Sequence, residues 1–187
     1  MAASDGIIQL LRITDPAGRD VYDRTAQFVI FLAMHQLWPE AQAKMGCTVG
    51  PALYVEVKQE GFSAEKLRHQ VISIVEQDIP MIRRRVSTQD AITHFRSVGQ
   101  ADKAKLLSWR KEPEFDVYAS GEFMDYYYGE LAPSTGYLQS WNILPAQGGF
   151  FFVYPDELYP NWPAAYQDMP NFLSVSTEGT RWCQLMG

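Results

Sequence analysis

Residues 121–137 read GEFMDYYYGELAPSTGY, and the way this stretch folds decides what kind of domain the chain builds. Tyr126, Tyr127 and Tyr128 stand in a row between Asp125 and Gly129. Successive side chains on a strand point to opposite faces, so three consecutive phenols cannot all enter one dry core. At least one must line a cleft or the surface. Gly129 supplies a position where positive φ or a close backbone approach is tolerated. Pro133-Ser134-Thr135-Gly136 then reads as a turn. Two readings follow: an aromatic edge strand before a hairpin, or a strand and loop forming one wall of a pocket. Pattern alone leaves both open.

Towards the amino terminus, residues 123–128 and 116–120 read as strands, and 101–110 and 89–98 as short helices separated by Gly99. Ser87 with Asp90 three residues on has the form of a capping box. Residues 81–86, MIRRRV, form a strand with three consecutive arginines, a solvated edge or, less commonly, an anion site. Ser63 is placed to cap a helix over 64–78, with Leu67, Val71, Ile74 and Val75 on its apolar side. Residues 44–57 make two short strands joined at Gly50-Pro51. Before them, 21–38 reads as a helix whose middle, 26–34, is apolar nearly all round, the mark of burial on most sides. Arg24, Phe28, Phe31 and His35 share one of its faces, and Pro39 stops it. Residues 7–14 read as a leading strand closed by a turn at Asp15-Pro16-Ala17-Gly18.

Towards the carboxyl terminus, 138–144 and 150–154 are expected strands. Pro155, Pro160, Pro163 and Pro170 make 155–170 an irregular loop, and 171–186 is expected to close the chain as a helix weakened by Gly179. Helices and strands alternate irregularly, without repeats. The expected class is α+β, with the 21–38 helix lying across an antiparallel sheet.

Composition narrows function by exclusion. A hydrophobic share of 47% with 20% charged residues suits an ordinary globular domain of this length. The net charge of −6 lacks the basic surface expected of a nucleic-acid binder. No segment is apolar for long enough to span a bilayer, and MAASDG is no signal peptide. Two distant cysteines, Cys47 and Cys183, give neither a disulfide framework nor a zinc spacing, which points to a reducing cytoplasm. His35, His69 and His94 lie on separate predicted helices without HxxxH or HExxH spacing, and read as partly buried or surface residues. No GxSxG or GxxxxGK[ST] motif occurs.

Several stretches together carry a resemblance. Gln36-Leu37-Trp38-Pro39, then Thr48-Val49-Gly50-Pro51 and Leu53-Tyr54, then Phe62-Ser63, Val86-Ser87, 95–99 and GEFMDYYYG…P follow in order. This series resembles the editing domain of bacterial threonyl-tRNA synthetases over roughly 21–153, and implies that domain's fold. A closer resemblance is to the amino-terminal region of bacterial uridine-kinase-like nucleoside kinases. It rests on Tyr22-Asp23-Arg24-Thr25, Asp78-Ile79-Pro80 through Val86-Ser87, Asp102-Lys103-Ala104-Lys105-Leu106-Leu107, and 125–138.

The resemblance implies a fragment. Residues 1–20 would be a leading strand and link from a TGS module, 21–154 the editing-like domain, and 155–187 a loop and helix leading to a P-loop kinase. ATP and magnesium would belong to that kinase, with no cofactor in this segment. The editing site of the synthetases holds an HxxxH pair and a CxxxH pair. By position these become Arg24 and Phe28, then Tyr127 and Leu131, while a lysine and an aspartate are kept as Lys103 and Asp125. Lacking imidazole and thiol at those positions, the site has no obvious general base and no zinc ligands. The resemblance therefore implies no catalytic residue and a cleft holding Arg24, Phe28, Lys103, Asp125, Tyr127 and Leu131. Such a set suits a small anionic or nucleotide-like ligand; alternatively, Arg24 and Asp125 pair inside a dead pocket. A metal-independent aminoacyl-tRNA deacylase and a pure interaction module stay open, as do tRNA as a partner and a homo-oligomer.

Overall fold

The computed structural model describes residues 10–167. The expected helix over 171–186 and the first part of the expected strand over 7–14 lie outside the described residues. Residues 10–14 form no strand. They turn instead: the Arg12 N–H donates to Asp15 Oδ2 at 2.8 Å, and the Asp15 N–H donates to the Arg12 carbonyl at 2.9 Å. Helix α1 starts directly afterwards and spans Pro16–Leu37. Pro16 sits in the first turn, where a missing N–H is no loss, so the residues expected to close a strand open a helix.

The middle of α1 is buried all round, as its sequence predicts. Ala26, Phe28, Val29, Ile30, Leu32, Ala33 and Met34 are at most 3% exposed. They share the main core with α2 (Ala64–Glu76), whose Leu67, Val71 and Ile74 are fully buried. The other wall of this core is an antiparallel sheet of β1 (Gln42–Val49), β2 (Ala52–Lys58), β7 (Gly149–Val153) and β6 (Asn142–Ala146), in that order. Its Val55, Phe150 and Phe152 are likewise fully buried.

A second antiparallel sheet holds β3 (Ile82–Ser87), β4 (Glu114–Ser120) and β5 (Phe123–Asp125). Helices α3 (Thr88–Ser97) and α4 (Ala101–Ser108) cover one face of it, where Phe95, Ala104 and Leu107 meet Phe115 and Val117 in a smaller core. The expected caps form: Ser63 Oγ accepts from the Lys66 N–H, and Ser87 Oγ from the Asp90 N–H.

Two sheets rather than one follow from where β5 stops. The expected strand over 123–128 ends at Asp125, whose carboxylate accepts its neighbour's N–H (Tyr126) at 2.8 Å and takes that donor out of any ladder. Residues 126–134 then cross between the sheets. A 3₁₀ turn at Thr135–Tyr137 replaces a hairpin. The fully buried Thr135 hydroxyl donates to the Ile74 carbonyl at 2.7 Å and accepts from the Ile79 N–H at 2.9 Å, which ties this turn to the end of α2. Asp78, in the left-handed region at φ 49°, adds bonds from the Ser134 hydroxyl and the Gly136 N–H. The strand expected over 138–144 is thereby delayed to Asn142. The extended trace after Phe150 and the proline-rich loop follow their expected course through residue 167.

Candidate functional site

The tyrosine run divides between the two sides of the chain, although the strand stops at Asp125. Tyr127 turns inward, its ring 6.2 Å from that of Phe28; Tyr126 packs on Phe95 and Phe115; Tyr128 is 79% exposed. Both readings of this stretch hold in part, since the strand is short and the loop after it lines a cleft.

Asp125 is the centre of the inward side. Its side chain is 4% exposed, and both its oxygens lie 2.7 Å from Lys103 Nζ. Oδ1 also accepts from the Tyr126 N–H, and the Tyr127 hydroxyl donates to Oδ2 at 3.4 Å. The carboxylate's lone pairs are therefore occupied. Lys103 reaches it from α4 along aromatic walls, with Nζ 5.3 Å from the Phe31 ring centre and 5.6 Å from that of Phe95. Burial, then the Asp125 charge, hold the Tyr127 phenol far above its ordinary range, so it stays a neutral donor.

The alternative pairing of Arg24 with Asp125 does not form: the cation on Asp125 is Lys103. Arg24 instead donates Nε–H to the Glu130 carbonyl at 3.0 Å. Its guanidinium lies so close to Gly129, at φ 129°, that a side-chain carbon there would stand 2.8 Å from Cζ. Phe28 is fully buried between Tyr127 and Phe123, and Leu131 is buried in the same core. Two positions that the resemblance gives to polar ligands are thus filled by apolar side chains. Lys103, Asp125, Tyr127 and Phe28 form one contact chain, and Arg24 touches the loop that follows it.

Two residues read from sequence as unremarkable join this group. His35 follows Phe31 on the Arg24 face of α1 and packs 5.6 Å from Phe123; His94, on α3, stands 5.4 Å from Phe95. Burial holds the His94 imidazole below the usual histidine range, against the pull of the nearby Asp125 carboxylate; His35 pushes in the same direction as burial. The shared face of Arg24, Phe28, Phe31 and His35 was the available signal for His35. For His94 there was none. A neutral imidazole beside a carboxylate and an ammonium can relay or accept a proton. No group of three His, Cys, Asp or Glu side chains that could hold a metal occurs among the described residues.

No protein-family model matches the chain. Over 154 residues it is 29% identical to the threonine–tRNA ligase of Carboxydothermus hydrogenoformans, covering 80% of this chain and 24% of that protein. Over 152 residues it is 28% identical to the enzyme of the same name from Symbiobacterium thermophilum, covering 79% of this chain and 23% of that protein. The Burkholderia multivorans enzyme is 27% identical over 152 residues, with 79% and 24% covered. Over this stretch the chain is similar to threonyl-tRNA synthetases. The chain spans about a quarter of the length of the curated relatives it matches. Its α+β fold of helices on antiparallel sheets accords with the editing-domain resemblance. No helix among the described residues is long and apolar enough to cross a membrane.

Proposed function

We propose that this synthetase-like domain is a non-hydrolytic, ligand-binding accessory unit of a bacterial nucleoside kinase of the uridine-kinase-like group. The observation that carries the ligand-binding part is the Lys103–Asp125 pair, half-sheltered on the lysine side and closed on the carboxylate side. An ammonium has three protons, and a side chain 29% exposed leaves it open to an anionic group from solvent. The non-hydrolytic part is supported by Phe28 and Leu131, whose buried hydrocarbon stands where the resemblance places ligating groups. The kinase parent rests on the motif series from Tyr22 to Leu138, and ATP and magnesium would be handled by that parent's P-loop module. Sequencing the gene beyond Gly187 tests it: the reading requires a GxxxxGK[ST] motif there.

The ligand reading is tested by titrating the chain with nucleoside monophosphates and with amino acids while following its melting temperature, alongside an aminoacyl-tRNA deacylation assay. Saturable stabilisation without deacylation is the expected result. Neither stabilisation nor turnover would leave the pair a purely structural feature. A second reading, metal-independent deacylation with tRNA as partner, is favoured by one observation: burial lowers the pKa of the His94 imidazole, which lies within the field of the Asp125 carboxylate. It predicts turnover that disappears in His94→Gln.

A further inference from the structure

The outward side of the tyrosine run carries a different arrangement. A cleft of about 200 Å³ is bounded by Arg83, Arg110, Asp116, Tyr118, Tyr126 and Tyr128. Drug-sized ligands fill roughly 300–1,000 Å³, so this space fits one flat ring system and little more. Its walls are aromatic. The Tyr126 ring is perpendicular to Tyr128 at 6.0 Å and to Phe115 at 5.9 Å, and the Arg110 guanidinium lies 4.7 Å over Phe115. Tyr128 keeps most of its ring in water.

Charge then narrows the ligand. Arg83 is engaged by both Asp116 and Glu130, and Arg110 faces Glu112 at 3.3 Å. Hydrogen bonds from Arg85 and Arg83 hold the Asp116 carboxyl below its ordinary range, so it is ionised near neutral pH. A phosphate would find its cations already neutralised and would meet two carboxylates. A neutral ring would find flat surfaces to stack on, with donors and acceptors along one edge. Proteins read unstacked bases in this way, by stacking on aromatic and guanidinium planes and bonding to base edges. The net charge of −6 disfavours a polyanion as carrier of the base.

We propose that this cleft binds the nucleobase of a free nucleoside, with Tyr128 as the stacking platform. The cleft borders the Lys103–Asp125 cluster, since Tyr127 lines it and bonds Asp125, but Tyr128 makes no hydrogen bond to that cluster. The test is a titration of the chain with adenosine, guanosine, cytidine and uridine in turn, read by heat and by tyrosine emission, with ribose 5-phosphate as control. At least one nucleoside should saturate with a Kd of about 1 mM or tighter, while ribose 5-phosphate should not. Tyr128→Ala, at an exposed position that leaves the core intact, should raise that Kd about tenfold; Tyr128→Phe should keep it. His94→Gln, in the other cluster, should leave it unchanged. A short single-stranded RNA that binds where free nucleosides do not would overturn the free nucleoside as ligand. Absence of saturation by every probe, equal binding by wild type and Tyr128→Ala, or equal binding of ribose 5-phosphate would each overturn the proposal.

Discussion

At Asp125, a carboxylate with 4% exposure has one ammonium as its ion-pair partner; at Asp116, 23% exposed, a carboxylate is shared by Arg83 and Arg85 with Glu130 alongside. Both belong to the small sheet, β5 and β4 respectively, and both are fully hydrogen-bonded. Their energetics differ because water reaches only one of them. A buried ion pair gains little over an apolar pair but is costly to break, since the survivor cannot resolvate. A pair in water loses little when one partner goes. The number of ion pairs therefore says less about this fold than the side of the tyrosine run on which each one lies.

The strongest way to break the comparison is Lys103→Met. It strands the Asp125 carboxylate in the core and should cost about 3 kcal/mol of unfolding free energy in urea titration. The double change Lys103→Met, Asp125→Leu should recover most of that loss. A single-variant loss below about 1 kcal/mol would show that Asp125 is better hydrated than its burial indicates. Next in size, Tyr127→Phe removes a long hydrogen bond to the same carboxylate while keeping the ring, and should cost about 1 kcal/mol or less.

A smaller effect sharpens the comparison through pH. His94 has a folded pKa below its unfolded value, so the unfolded chain binds the proton first as pH falls. Its contribution is fully present above the ordinary histidine pKa of about 6.5 and is lost as pH falls towards the lowered folded value. Stability should decline across that window, above the carboxylate range, and His94→Gln should flatten the decline. A slope unchanged by the substitution would show that burial does not lower the His94 pKa. The smallest effect belongs to Arg83→Ala. It should lower the melting temperature only slightly, and in about 1 M salt the difference should vanish.

Much of this architecture was legible because it obeys short-range rules. The all-apolar middle of α1, the caps at Ser63 and Ser87 and the Gly50-Pro51 corner each need only neighbours in sequence. Where the reading failed, a distant or competing contact decided. Pro16 reads equally as turn and as helix start. β5 ends at Asp125 because a side chain claims the Tyr126 N–H, and Thr135 bends the chain through bonds to α2. At the site, the lysine–aspartate kinship was visible only through resemblance, and the exchange of Arg24 for Lys103 as the partner of Asp125 depends on how α4 packs. His94 carried no signal at all, since its burial depends on packing between elements distant in sequence.

The strand order β1-β2-β7-β6 also has a consequence for synthesis on the ribosome. β2 ends at Lys58, but its neighbour β7 begins only at Gly149. Everything in the smaller sheet and its two helices emerges in between. At 5–20 residues per second, the open edge of β2 waits roughly 5–20 s for its partner. During that interval the α3–α4 unit can close over β3, β4 and β5, so the smaller half of the molecule is completed first and the larger sheet is sealed around it.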